Sequence, residues 1–121
     1  MAVAISLRTR WPSRHVELDH DVPGLSVWAV WSPRRGLHFV GHHLMRGDDA
    51  PFGTAEYEYG VWLSRAETDQ LARVLGVRPR RLLRALRERG PEVVHRGEQR
   101  WVRDHLGPQA TSLDTYLQPR D

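Results

Sequence analysis

Residues 55–87 read AEYEYGVWLSRAETDQLARVLGVRPRRLLRALR, and the fold turns on this stretch. Up to Leu63 the apolar pattern has a period of two. Tyr57, Tyr59, Val61 and Leu63 share one face; Glu56, Glu58, Gly60 and Trp62 share the other, as in a strand with one face buried. At Ser64 the period changes. Ser64-Arg65-Ala66-Glu67 is a capping box, in which the serine accepts from the Glu67 amide and the glutamate reaches back. A helix follows, with Leu71, Val74 and Leu75 on its apolar face, and Gly76 ends it. Pro79 suits the first position of a second helix, where its missing N–H costs nothing. That helix runs to about Arg89 and stops at Gly90-Pro91.

Upstream, the chain reads as β-structure. Ala4–Arg10 alternates loosely and ends at Trp11-Pro12-Ser13. His15, Glu17, Asp19 and Asp21 alternate with Val16, Leu18, His20 and Val22. Pro23-Gly24 marks a turn. Leu25–Trp31 has the Val and Trp content of a buried strand. Ser32–Gly36 forms a hairpin loop with glycine where positive φ is needed, and Leu37–Met45 returns as the partner strand. Arg46–Thr54, with paired aspartates, glycines and a proline, reads as a loop.

Downstream, Glu92–His95 and Gln99–Val102 flank Arg96-Gly97-Glu98, which suggests a small hairpin. Trp101–Leu106 also fits helical spacing, so a helix is the alternative there. Leu113, Tyr116 and Leu117 suggest a final helical turn. The expected architecture is α+β in a single domain: an N-terminal antiparallel sheet of four or five strands over residues 1–63, then a mainly helical unit over residues 64–121.

The chain has 121 residues, no cysteine and five tryptophans. The missing cysteines exclude disulfides, thiolate-bound zinc, iron–sulfur clusters and thiol catalysis. No apolar run approaches the ~20 residues that span a bilayer, and no signal-peptide pattern opens the chain. A cytoplasmic protein without a membrane partner is the expectation. Every basic side chain is arginine; lysine is absent. A GC-rich genome explains the choice of arginine, but not its distribution. Arg73 to Arg103 holds ten arginines against three acids, whereas residues 1–72 hold seven against nine and residues 104–121 one against three. Like charges at this density repel, and an acidic partner relieves the repulsion.

Within this basic segment, Thr68–Arg87 resembles the helix-turn-helix of DNA-binding proteins. Leu71 and Leu75 are apolar in the first helix, Ala72 is the small residue at the crossing, Gly76 makes the turn, and Val77, Leu82 and Ala85 face inward. The resemblance implies that the second helix enters the major groove, with Arg78, Arg80, Arg81, Arg84 and Arg87 toward DNA. Arginine offers a planar fork of donors to guanine edges and phosphates. Were Val93–Val102 a hairpin, it would stand where the winged variant has its wing, and His95, Arg96 and Arg100 would reach the backbone. The family commonly binds as dimers, so the resemblance implies a homodimer and, in type, a transcriptional regulator. The preceding helix that completes the usual three-helix core has no counterpart here.

The order EYEYGVW, a capped helix ending in LG, a leucine-rich helix and WVRDHLG is also similar to small proteins of actinobacteria, some encoded beside toxins. That likeness implies a non-enzymatic interaction module, such as an immunity or accessory protein, with an acidic protein partner.

Other constellations are weaker. His38 and His42 share a strand face with His43 adjacent and Asp48-Asp49 beyond, but the spacing matches no known metal site. Glu56 and Glu58 read as a solvated outer face, as do His15, Glu17, Asp19 and Asp21. Ser26 and Ser64 lack a base and an orienting group, and the glycines form no phosphate-binding fingerprint. The reading is a DNA-binding protein that is not an enzyme, with no catalytic residue, no metal and no cofactor.

Overall fold

The period-two segments form a five-stranded sheet, and the capped segments lie across one of its faces. The computed structural model describes residues 14–46, 54–108, 110 and 114–120. The strands are β1 (Arg14–Glu17), β2 (Leu25–Ser32), β3 (Gly36–Arg46), β4 (Thr54–Trp62) and β5 (Asp114–Arg120). They pair antiparallel in the order β1-β2-β3-β4-β5. Between β4 and β5 come α1 (Arg65–Val74), a 3-10 turn (Pro79–Arg81), α2 (Leu82–Glu88), α3 (Gly90–Arg96) and α4 (Glu98–Leu106). This is the expected α+β class.

The β2–β3 hairpin closes with Ser32 opposite Gly36. Gly36 has φ of 76°, and Ser32 Oγ accepts from the Arg35 amide at 3.1 Å. The capping box of α1 forms as its residues dictate. The Glu67 amide donates to Ser64 Oγ at 3.1 Å, and the Ser64 amide donates to Glu67 Oε1 at 2.9 Å. Two hydrogen bonds end α1 at Gly76: Gly76 N–H to Arg73 O at 3.0 Å and Val77 N–H to Ala72 O at 2.9 Å. Together they are a Schellman motif, with Gly76 at φ of 72° supplying the left-handed residue.

One core joins the layers. The sheet contributes Val27, Ala29, Leu37, Phe39, Val61 and Leu63; the helices contribute Leu71, Ala72, Leu82, Leu86, Val93, Trp101 and Val102. Thr68, fully buried, ties the layers with polar contacts. Its hydroxyl accepts from the Leu37 amide at 3.0 Å and donates to Ser64 O at 2.8 Å.

Three expectations are corrected. Val93–Val102 is not a hairpin: residues 90–106 form α3 and α4, broken at Gly97 with φ of 91°. The buried positions Gly90, Val93, Val94, Glu98, Trp101 and Val102 recur at three- and four-residue spacing; a hairpin would alternate. Pro91 therefore opens a helix as well as closing the one before, being tolerated in the first turn. The tail is strand β5, not a helical turn, and its backbone completes the hydrogen bonding of β4 from Glu56 to Trp62. Pro119 is compatible with this edge position. Finally, β1 stops at Glu17. Gly90 lies so close to Asp19 that a Cβ there would be 2.6 Å from the Asp19 carbonyl oxygen, so Asp19–Asp21 leave the ladder to pass beneath α3. The expected strand over Ala4–Arg10 and most of the loop at Arg46–Thr54 lie outside the described residues.

Candidate nucleic-acid interface

The basic segment folds so that its leucines turn inward and its arginines outward. Leu82, Leu83, Ala85 and Leu86 are buried in α2, which lies on β1 and β2. Arg78 precedes the 3-10 turn, Arg80 and Arg81 belong to it, and Arg84 and Arg87 follow on α2. All five are exposed. Arg84 Nε lies 3.6 Å from Glu88 Oε1, one helical turn on. Arg78, Arg80, Arg81 and Arg87 have no carboxylate within 4 Å among the described residues.

The helical arrangement differs from that of the resemblance. α1 meets the Pro79–Arg81 turn and α4, while α2 rests on the sheet. The third helix against α1 is thus α4, which follows the pair in sequence instead of preceding it. Ala72, at the expected crossing, is fully buried.

The three residues assigned to a wing stand on helices. Arg100 is exposed on α4. The other two are held within the fold. His95 Nε2 is 2.5 Å from Asp21 Oδ1, which clasps α3 to the turn between β1 and β2. Arg96 makes a two-pronged contact with Asp104, at 2.7 and 3.1 Å, bridging α3 and α4 across the Gly97 break. The hydrogen bond and charge of His95 hold the Asp21 carboxyl below its ordinary value of 3.8. Arg96 does the same for Asp104 and is itself raised.

A depression of about 380 Å³ opens beside this clasp, between β4 and the α3–α4 junction, with Tyr59, Val61, Val94 and Glu98 in its lining. Glu98 is only 5% exposed and its Oε1 accepts from the Tyr59 hydroxyl. Burial raises the Glu98 carboxyl above its ordinary value, although the Tyr59 bond opposes this. Burial, and then the neighbouring Glu98, likewise raises the Tyr59 phenol. The ring of Tyr59 occupies the space beside Gly41, where a Cβ would meet it at 2.1 Å. Neither residue carries a local sequence signal for this role. They are 39 positions apart, and only the seating of α4 on the sheet joins them.

The outer face of the sheet also departs from a plain solvated face. Glu58 is 5% exposed, because β4 is flanked by β3 and β5 and does not form an edge. His38 stacks on Trp62 with ring centroids 3.9 Å apart, and the Arg35 guanidinium lies over the Trp62 ring at 5.9 Å. Burial, then Arg35, lowers the His38 imidazole to about 4. His42 instead faces Glu56 at 3.6 Å. The two histidines therefore do not converge, and no cluster of three or more His, Asp or Glu suited to a metal occurs among the described residues. No helix among the described residues is long and apolar enough to cross a membrane. Comparison with known proteins yields no match: no family model, curated protein or solved structure aligns significantly with the chain.

Proposed function

We propose that this protein binds duplex DNA through the arginines of its 3-10 turn and α2, as a regulator of helix-turn-helix type. One observation carries the reading. Five exposed arginines fall within ten residues, and only Arg84 has an acidic neighbour within 4 Å among the described residues. Such a surface has unspent positive charge, which phosphates neutralise with release of counterions. The interface is Arg78, Arg80, Arg81, Arg84 and Arg87, with Arg100 at its margin. His95 and Arg96 are left out, because each already has a carboxylate. The apolar side of α2 is committed to the sheet, so the arginines are presented on a rigid support.

The test is an electrophoretic shift at low salt with duplex DNA, including DNA from the gene's own promoter. Five phosphate contacts imply a slope of log K against log salt near about −4.5, so affinity should fall roughly 10²–10³-fold between 50 and 200 mM salt. Replacing Arg80 and Arg84 together by alanine should abolish the shift. The fold should survive, since an exposed i,i+4 pair such as Arg84–Glu88 contributes at most about 0.5 kcal/mol. No shift on any duplex would end this reading, and a stoichiometric protein partner that DNase does not release would favour an interaction module in its place.

A further inference from the structure

We propose that the depression between β4 and the α3–α4 junction binds a small α-amino acid with an apolar side chain, its ammonium group seated on Glu98. The depression is open to solvent and about 380 Å³ in volume, so it would leave part of a small ligand exposed. Its chemistry is divided. Glu98 contributes a carboxylate that is only 5% exposed. Tyr59 donates to one of its oxygens and His20 acts on it through charge from farther off, yet no cation lies within 4 Å of it among the described residues. Buried carboxylates are costly unless paired with a cation or fully hydrogen-bonded, and a phenol brings no charge. Burial moves Glu98 toward its neutral form, and an ammonium group seated on it would hold the ionised form instead.

The rim supplies the opposite sign. His95 and Arg96 line the depression but are taken by Asp21 and Asp104. Arg100 lines it too and has no carboxylate within 4 Å among the described residues. A ligand with both an ammonium and a carboxylate therefore matches Glu98 and Arg100 together, where a simple amine would meet an unpaired arginine and a simple acid a buried carboxylate. Val61 and Val94 give the lining its apolar part, which suits a short aliphatic side chain.

The inference does not depend on DNA binding, and its test contains no DNA. The full chain, ¹⁵N-labelled, is titrated with L-leucine, with 3-methylbutylamine, which lacks the carboxylate, and with 4-methylpentanoate, which lacks the ammonium. Leucine should shift the Gly97 and Gln99 amides saturably at concentrations below about 10 mM. The amine should bind more weakly at the same amides, and the acid should not bind. Glu98→Gln should weaken leucine about tenfold or more, the loss expected for one charge-assisted contact. Arg100→Ala, an exposed change that leaves the fold alone, should bring leucine down to the level of the amine. Absence of saturable shifts with leucine and amine, saturable shifts confined to another part of the molecule, acid binding equal to leucine, or a well-dispersed Glu98→Gln spectrum with unchanged leucine affinity would each overturn the proposal.

Discussion

Thr68 shows how one side chain joins two layers. Its hydroxyl holds the Leu37 amide and the Ser64 carbonyl at once, fully buried. Thr68→Val keeps the shape but leaves the Leu37 N–H without its acceptor. A buried unsatisfied donor costs about 1–3 kcal/mol, so the unfolding free energy should fall by that amount, read as a lower urea midpoint at an unchanged m value. Thr68→Ser keeps both bonds and should lose less. Gly36 belongs to the same contact, since a Cβ there would lie 2.6 Å from Thr68 Oγ1. In the sequence, Gly36 reads as a turn glycine and Thr68 as an ordinary helical residue. The first half of that is legible locally; their contact across 32 positions is not.

At the scale of elements, the punctuation of α1 was readable because caps are local chemistry. Ser64, Glu67 and Gly76 lie within a few residues of the groups they satisfy. Gly76→Ala isolates the conformational part of this, because a Cβ there meets nothing within 4 Å. The left-handed conformation alone should cost about 1–2 kcal/mol, measurable by thermal or urea unfolding. A result near zero would mean that the turn relaxes to another geometry. The stretch Val93–Val102 is ambiguous in the sequence for a complementary reason. Two apolar pairs, Val93-Val94 and Trp101-Val102, flank a polar centre, and this pattern suits a hairpin as well as two helices. The choice falls to the helices because Val93, Val94, Trp101 and Val102 all enter the common core. Trp101 adds a bond from its indole N–H to Glu92 Oε2 at 2.8 Å, which ties α4 back to α3.

At the scale of the whole molecule, Glu98 acts on stability in the opposite sense to Asp21 and Asp104. Asp21 and Asp104 are held below their ordinary value by His95 and Arg96. Their contribution is complete above the unfolded carboxylate range and is lost as pH falls through their folded values. Both are exposed, so solvent keeps that contribution small. Glu98 is held above its ordinary value by burial. Its folded state prefers the proton, so stability declines as pH rises from the ordinary value of 4.5 through the raised one. Urea unfolding at a series of pH values from about 3 to about 7 should separate them. Glu98→Gln should remove the decline on the rising side and stabilise the protein at neutral pH, whereas Asp21→Asn with Asp104→Asn should flatten the acid limb. An unchanged profile in Glu98→Gln would mean that this carboxyl is solvated.

By itself, the sequence determined the α+β class, the strands from Leu25 to Trp62, the capped helix α1, and an arginine-rich segment whose leucines turn inward. These follow from periodicity and capping, which act over a few residues. Only the tertiary structure decided that residues 114–120 close the sheet as β5, that Gly97 divides α3 from α4, and that His95 and Arg96 spend their charge inside the fold. It also brought Glu98 to Tyr59. Each of these depends on which surface a segment docks against. The free energy of that docking comes from partners tens of residues away, so no local pattern encodes it.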